Sequence, residues 1–417
     1  MSSPLREFRD LRFFIGTRFV VTLATQIQSV AIGWQVYQLT KDPLALGYVG
    51  LAQFVPAMAL ALVTGHVADR IDRRRILMVC YALFAVVALT FAGMAQLLDV
   101  PLLFFYAVVV VLGIARAFVG PAGQSFIPQL VPAEHLQQSL ALGSSAFQVA
   151  TIVGPSVGGL ILSGLSLTSV YLLCAVLYVL GIAFTRAMRP RPVTGERKSV
   201  SRSELLGGIR YVFQNRIILG AISLDLFAVL LGGAVALLPI FAQDMLKTGP
   251  WGLGVLRSAP AVGAFAMALY LARFPLKRHA GAILFGSVAV FGVATILFGL
   301  SKSLVLSVAA LTVLGAADMI SVVLRSTVVQ LATPSEMRGR VSAVNMVFIG
   351  ASNELGDFES GVTARWWGAV AAVVVGGAGT IGIVALWAWL FPDLRRIQRV
   401  EDALAEPSES KKEAGTA

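Results

Sequence analysis

A short polar run, Gly65-His-Val-Ala-Asp69-Arg70-Ile-Asp-Arg73-Arg74, indicates the type of fold. It separates two long apolar segments, which we place near residues 44–67 and 76–97. A helix that crosses a bilayer needs about 20 predominantly apolar residues, and each segment has that length. A cluster of charges between two such segments predicts a tight loop at a membrane surface.

The composition of the whole chain agrees with this interpretation. Of its 417 residues, 57% are hydrophobic and 13% are charged, and the mean hydropathy is +0.81. A soluble domain carries about 25% charged residues, so most of this surface must face lipid. We predict twelve spans, near residues 13–39, 44–67, 76–97, 101–120, 140–164, 167–187, 217–243, 251–273, 280–300, 304–328, 341–362 and 367–391. We expect the first span to be a retained helix rather than a cleaved signal peptide.

Basic residues are concentrated in every second loop between the predicted spans. One side collects them in the segments 6–12, 70–75, 187–216, 277–278, 338–340 and 395–399. The other side has little more than Lys41, Lys247, Lys302 and Arg365. The positive-inside rule then predicts that both termini lie in the cytoplasm. Because this topology explains the net charge of +11, we expect no nucleic-acid partner.

The two halves of the chain repeat each other. An offset of 202 residues aligns Leu112-Gly-Ile-Ala-Arg116 with Leu314-Gly-Ala-Ala-Asp318, and Gly154 and Gly159 with Gly356 and Gly361. Near the second and eighth spans an offset of 204 aligns Gly50 with Gly254 and Pro56 with Pro260. Two six-helix bundles in parallel repeat predict a substrate site near the membrane midplane, where the bundles meet.

We therefore expect an all-α transmembrane fold in four parts. They are an N-terminal bundle at 1–188, a cytoplasmic linker at 189–216, a C-terminal bundle at 217–393 and a disordered tail at 394–417. Residues 203–213 of the linker have an apolar stripe at helical spacing, which predicts an amphipathic helix at the membrane surface. A plain solvated linker is the alternative.

The polar loop at 65–74 resembles the G-x-x-x-D-R-x-x-R-R motif of the major facilitator superfamily, with Asp72 where that family usually has glycine. The resemblance covers nearly the whole chain. It implies the twelve-helix fold of two six-helix bundles related by a pseudo-twofold axis. In the family this loop latches the two halves together, a role that falls here on Gly65, Asp69, Arg70, Arg73 and Arg74. A basic loop that only sets the topology is the alternative.

Two further motifs strengthen the resemblance. Leu112-x-x-x-Arg116-x-x-x-Gly120 is similar to a second motif of the family, whose arginine is associated with proton coupling. Ala150-x-x-x-Gly154-Pro155-x-x-Gly158-Gly159 resembles the antiporter motif, with Ala150 replacing the first glycine. This motif implies export rather than uptake, although small residues also serve ordinary close packing of helices.

Residues 224–239 and 351–361 narrow the resemblance to one branch of the superfamily. They are similar to the drug:proton antiporter-3 branch, which includes enterobactin and macrolide exporters. Membership of this branch implies a proton-coupled antiporter and leaves the substrate open.

Ionisable residues fall inside the predicted spans, among them Arg18, Arg116, Asp225, Asp318, Glu354, Asp357 and Glu359. A charge at the bilayer centre costs about 2.5–3.5 kcal/mol on insertion scales, so such residues face a polar interior and are functional candidates. Burial favours the protonated form of a carboxyl group, and a nearby arginine favours the ionised form. We predict proton coupling at Asp225, Asp318, Arg116, Glu354 and Asp357. Charge pairs that only hold the halves together are the alternative.

The predicted substrate cavity is lined by polar side chains. They belong to spans one, four, seven and ten, which line the cavity in this family, and to span eleven. They are Arg18, Thr22, Thr25, Gln26, Ser29, Arg116, Asp225, Asp318, Asn345 and Asn353. Other polar and aromatic residues have simpler interpretations. We interpret Arg325, at the cytoplasmic end of span ten, and Arg338, in the loop after it, as positive-inside anchors. We interpret Trp34, Tyr37, Trp251, Trp366 and Trp367 as an interfacial belt.

The sequence predicts a monomeric, proton-coupled exporter of amphipathic small molecules in the cell inner membrane. Drugs are the first substrate class, and a siderophore is the second, since Arg18 and Arg116 could hold a catecholate. A passive channel or a lipid-handling protein is the alternative of a different class, but the sequence has no signature of a pore ring or filter. We expect no enzyme activity, cofactor or metal, because the three histidines lack metal-ligand spacing and no phosphate-binding loop is present.

Overall fold

The computed structural model describes residues 8–97, 99–124, 126–189, 202–276, 278–334, 336–399 and 402, without the side chains at 61, 62, 65, 66, 68–70, 124 and 202–206. These residues form twelve long helices and no strand, which confirms the all-α fold. The first half contains α1 (Arg9–Thr40), α2 (Pro43–Arg70), α3 (Arg73–Met94), α4 (Leu102–Gln124), α5 (Ala133–Gly164) and α6 (Leu167–Ala187). The second half contains α7 (Arg216–Gly232), α8 (Gly249–Arg273), α9 (Ala280–Leu300), α10 (Leu304–Leu331), α11 (Arg338–Trp367) and α12 (Ala369–Leu390).

Short polar residues start several of the long helices. The Asp42 side chain accepts a hydrogen bond from the Leu44 backbone N–H at 3.0 Å and begins α2. The Asn215 side chain accepts from the N–H groups of Ile217 and Ile218, both at 3.1 Å, and begins α7. Such caps satisfy N–H groups that have no partner within the first turn of a helix. They explain why the loops between spans end where they do.

Eleven stretches in the described part of the chain are long and apolar enough to cross a membrane. The twelfth long helix is α11, which has 30 residues but carries charges along its length. Most limits of the spans lie within a few residues of the prediction, and two differ by more. Helix α5 begins at Ala133 rather than at residue 140, and α11 continues to Trp367 rather than ending at 362.

The seventh span is broken in its middle. Helix α7 ends at Gly232, and the chain continues through a 3-10 turn at Val235–Leu237, one α-helical turn at Leu238–Ile240 and a π-helical turn at Phe241–Met245. We call residues 235–245 the α7 extension. Because the N–H groups at a helix break lack partners along the chain, they are free to bind other groups.

The helices alternate in direction, so the start of α1 and the end of α12 lie on one face of the bundle. We call this the terminal face and the other the opposite face. The halves meet closely through glycines near the opposite face. A Cβ built on Gly159 of α5 would lie 2.8 Å from the Gly254 Cα of α8, and one on Gly361 of α11 would lie 3.1 Å from the Gly47 Cα of α2.

These two interfaces are related by the internal repeat. The offset of 202 residues that pairs Gly159 with Gly361 pairs α5 with α11, and the alignment of Gly50 with Gly254 pairs α2 with α8. The α5–α8 contact therefore has its counterpart in the α11–α2 contact. This arrangement is what a pseudo-twofold axis between the halves requires.

The linker between the halves contains the predicted amphipathic helix. It spans Arg202–Gln214 and packs against the second half. There the Tyr211 hydroxyl donates to the Ala332 carbonyl at 3.2 Å, and Val212 is buried. Residues 190–201 of the linker lie outside the described residues.

The expectation of disorder from residue 394 onward is wrong for the start of the tail. Pro392–Arg396 forms a short helix, and Leu394 is 1% exposed. The backbone carbonyls of Ile397 and Gln398 accept hydrogen bonds from Gly281 and Ala280, at 3.0 and 3.2 Å. These N–H groups begin α9 and have no partner within it, so the tail is held by capping that helix. Residues 400, 401 and 403–417 lie outside the described residues.

Candidate functional site

Predicted site residues line two cavities in the described part of the bundle. The central cavity, of about 170 Å³, lies between the halves and is lined by α1, α2 and α4 on one side and by α8, α11 and the α7 extension on the other. The C-terminal cavity, of about 380 Å³, lies among α7–α11 within the second half. Asp357 and Val235 line both cavities, so the two spaces share one acidic side chain.

Arg257 of α8 joins the two halves in the central cavity. Its Nη2 donates a hydrogen bond to the Ser29 Oγ of α1 at 2.7 Å. Glu354 and Asp357 of α11 and Arg116 of α4 are its charged neighbours. Two carboxylates thus offset two guanidiniums, which reduces the cost of holding four charges away from bulk water.

Arg257 was not among the predicted site residues, although it lies within the eighth predicted span. The internal repeat carries a signal for it, because the offset of 204 residues pairs Gln53 with Arg257. In the structure the Arg116 guanidinium donates a hydrogen bond to the Gln53 Oε1. The two halves therefore present an amide and a guanidinium at equivalent positions of the central cavity.

Asp357 is held by the break in the seventh span. Its carboxylate accepts a hydrogen bond from the backbone N–H of Ala236, in the 3-10 turn of the α7 extension. On the other side of the break, the Ser360 Oγ donates to the Gly233 carbonyl at 2.5 Å. Helix α11 thus satisfies backbone groups on both sides of the break, and the charge state of Asp357 acts directly on the α7 extension.

The C-terminal cavity contains a buried ion pair. The Arg325 Nη1 of α10 donates to the Asp225 Oδ2 of α7 at 2.5 Å, and the two side chains are 4% and 8% exposed. The interpretation of Arg325 as a positive-inside anchor at the end of span ten is therefore wrong. Its buried side chain faces the interior of the half, where it pairs with Asp225. Arg338 is exposed.

The structure divides most of the predicted substrate and proton-coupling residues between the two cavities. Thr25, Gln26, Ser29, Arg116 and Glu354 line the central cavity, Asp225, Asp318 and Asn353 line the C-terminal cavity, and Asp357 lines both. Arg18, Thr22, Asn345 and Glu359 line neither of them.

Arg18 instead packs between α1 and α5. Its guanidinium lies 5.3 Å from the centre of the Phe147 ring, a cation–π distance. A Cβ on Gly143 would lie 3.6 Å from its Nη1.

The loop motif after α2 is described only in part. The side chains of Gly65, Asp69 and Arg70 lie outside the described residues, so a latch through them stays a prediction. Arg73 is buried. The Arg74 Nε donates to the Thr185 carbonyl at 3.0 Å, which ties the start of α3 to the end of α6 within the first half.

The glycines of the antiporter motif lie against two helices. A Cβ on Gly154 would lie 2.6 Å from the Gln26 Cβ of α1, and one on Gly158 would lie 3.1 Å from the Ile27 Cα. Gly159 faces α8 across the interface between the halves. Pro155 is buried in the same helix. The motif thus sets the distance of α5 from α1 and from the second half.

The family model described as transmembrane secretion effector matches residues 2–413. The chain belongs to this family, within the major facilitator superfamily. Among its relatives, the enterobactin exporter EntS of Shigella boydii is 26% identical over 95% of each chain. The uncharacterized transporter YfiS of Bacillus subtilis is 23% identical over 93% of this chain and 95% of its own.

The fold of this secretion effector is shared with solved transporters. The nucleoside transporter NupG superposes with a TM-score of 0.72 at 16% identity, covering 92% of this chain and 99% of its own. A bacterial homolog of the human lysosomal transporter Spinster gives a TM-score of 0.70 at 13% identity, covering 95% and 97%. At these identities the likeness concerns the fold alone. The protein is a multi-pass membrane transporter of the secretion effector family.

Proposed function

We propose that this transporter is a proton-coupled exporter of amphipathic small molecules that works by alternating access. The observation that carries the proposal is the central cavity, where Arg257 and Ser29 join the halves beside Glu354 and Asp357. Ionisable groups at this depth must be held by protein or water, and they are typical of substrate and proton pathways.

Contacts between side chains close the opposite face. The Arg365 Nη1 lies 3.0 Å from the Asp42 Oδ2, and the Tyr37 hydroxyl donates a hydrogen bond to the Asp244 carboxylate. Tyr37 and Trp34 are buried here, so they do not belong to the interfacial belt, whereas Trp366 is 70% exposed. Export would require these contacts to open after a substrate has entered from the terminal face.

Competition for the carboxylates would couple export to protons. A cationic substrate in the central cavity favours ionised Glu354 and Asp357, so a bound proton leaves as the substrate arrives. After the substrate departs, the carboxylates take up a proton again. Each charge that crosses 100 mV contributes about 2.3 kcal/mol, which supplies a driving force for uphill export.

Drugs are the first substrate class, since the cavity places acids and hydroxyls beside the apolar side chains of Ile32, Leu46 and Leu112. A siderophore is the second, and two observations favour it. Relatives 25–26% identical carry the name enterobactin exporter. The guanidiniums of Arg116 and Arg257 in the same cavity suit catecholate oxygens.

We further propose that the protein acts as a monomer in the bacterial inner membrane, with the terminal face in the cytoplasm. One chain supplies both sides of the central cavity, so a second copy is not needed to complete it. The basic loops lie on the terminal face, as the positive-inside rule requires for a cytoplasmic face. A passive channel fits less well, because a channel has no need for contacts that close one face.

Proton release from reconstituted vesicles tests this function. Vesicles with a pH dye would be given a panel of cationic drugs and, separately, a catecholate siderophore. We expect the exported compound to drive proton movement, and Asp357→Asn to reduce it by about tenfold, equivalent to 1.4 kcal/mol of coupling. The exposed Asp393→Asn is the matched control and should transport normally. Transport that proceeds without a pH gradient or potential would refute the antiport proposal.

A further inference from the structure

We infer that the C-terminal cavity is a separate binding site for an organic cation, held by Asp318 and lying beside the cavity between the halves. This inference rests on the proposed export function, and it names the class of substrate and its position. The geometry, the balance of charge and the cavity wall each support it.

The C-terminal cavity is the larger of the two. Its volume is about 380 Å³, against about 170 Å³ for the central cavity. Pockets that bury small molecules measure roughly 300–1,000 Å³. In this conformation the C-terminal cavity has room for a drug-sized molecule, and its volume is more than twice that of the central cavity.

Asp318 is the carboxylate of this cavity without a direct partner. Asp225 is paired with Arg325, and Asp357 accepts from the Ala236 N–H and faces Arg257. Within the described part of the chain, Asp318 makes no hydrogen bond and no ion pair, and its charged neighbours are the already paired Asp225 and Arg325. A positive charge on the occupant would offset the charge of ionised Asp318, which has no other direct partner among the residues that the structure describes.

The rest of the wall suits an amphipathic molecule. Val229, Phe291, Leu314, Val322 and Ile349 line the cavity around the carboxylate. The face of an aromatic ring such as Phe291 attracts an organic cation.

Arg325 offers the occupant a hydrogen bond as well. The residue is 3% exposed, and its Nε has no hydrogen-bond partner in the described residues. Because a buried donor without a partner is costly, this N–H favours an acceptor on the occupant or a water molecule.

The shared wall connects this site to proton coupling. Asp357 lines both cavities and is held by the α7 extension. A cation beside Asp318 lowers the electrostatic cost of ionising Asp357, because unlike charges attract across a medium of low dielectric constant. Substrate in the C-terminal cavity and a proton on Asp357 are thus mutually disfavoured, with no direct contact needed between them.

Equilibrium binding of ethidium to the purified full chain in detergent tests the site without any gradient. Asp318→Asn is expected to weaken binding by about tenfold, and Asp318→Glu to restore most of it. Glu354→Gln, whose side chain lines only the central cavity, is expected to weaken binding less than Asp318→Asn does. The exposed Asp393→Asn serves as control, and the melting temperature of each variant shows whether it has folded.

The outcomes separate this inference from the proposed function. Loss of binding in Glu354→Gln but not in Asp318→Asn would place the cation between the halves and overturn the inference. No loss in either variant, or equal loss in both with unchanged melting, would also overturn it. If wild-type protein binds neither ethidium nor tetraphenylphosphonium, the cation class is wrong, while the proton-release assay with a siderophore still reports on export.

Discussion

The ion pair of Asp225 and Arg325 joins α7 to α10 inside the second half, and both side chains are more than nine-tenths buried. Removing one member of such a pair leaves a buried charge uncompensated, at a cost of about 3–5 kcal/mol. We expect Arg325→Gln to lower the unfolding temperature in detergent more than the double variant Asp225→Asn/Arg325→Gln does. Thermal melts of both single variants and the double variant measure the coupling. Additive losses would show that the two residues do not form a stabilising pair.

The same residues show how far individual side chains could be predicted. Asp225 and Asp318 were conspicuous as charges within apolar runs, whereas Asp357 lies in a predicted span with further charges. Each of the three lines a cavity. Arg325 was misassigned because it falls close to a predicted boundary, and a few residues decide whether such an arginine faces water or protein. Its pairing with a residue 100 positions away depends on which helices are neighbours, and the sequence does not contain that information directly.

At the scale of whole helices, α5 and α8 approach closely because glycines, which have no Cβ, lie at their contact. A Cβ on Gly159 would lie 2.5 Å from the Pro250 carbonyl oxygen, so a larger residue must push the helices apart. We expect Gly159→Val to hold the halves apart at the opposite face and to reduce transport by about tenfold. A cysteine placed at Ser258, which is 5% exposed in the same interface, should then react faster with a membrane-impermeant thiol reagent.

The matched control for this substitution lies on the same helix. A Cβ on Gly164 meets no atom within 4 Å, so Gly164→Val should leave both transport and the reactivity of the introduced cysteine unchanged. An unchanged reactivity in Gly159→Val as well would mean that the α5–α8 contact does not control closure. Cys80 and Cys174 are buried free thiols and would be replaced in every variant.

The elements themselves were predictable where one physical signal dominates. The length of the apolar stretches predicted the spans, and the amphipathic stripe predicted the linker helix at Arg202–Gln214. The break in the seventh span was not predicted, because Gly232 and Gly233 lie in a run that is apolar throughout. The order of residues 394–399 was missed for a related reason. The N–H groups of α9 that hold them belong to a distant part of the chain.

Over the whole molecule, the two cavities and the closed face form one connected system. The α7 extension contacts Asp357 through Ala236 at one end and Tyr37 of α1 through Asp244 at the other. A change of charge at the shared wall of the cavities therefore acts on the same segment that helps to close the opposite face. Alternating access in this molecule would then need the α7 extension to move relative to α1 when Asp357 gains or loses a proton.

A reversible cross-link across the opposite face tests whether that closure must open during transport. Asp42 of the first half and Arg365 of the second would both be replaced by cysteine, since their side chains meet at 3.0 Å. The native ion pair is largely exposed and contributes about 0–1 kcal/mol, but Asp42 also caps α2, so the untreated double variant sets the reference for transport. A bifunctional methanethiosulfonate should abolish transport, reductant should restore it, and either single-cysteine variant should be insensitive to the reagent. Normal transport by the cross-linked protein would mean that the substrate crosses while the halves stay joined at this face. A fixed pore behaves in this way, whereas an alternating exporter does not.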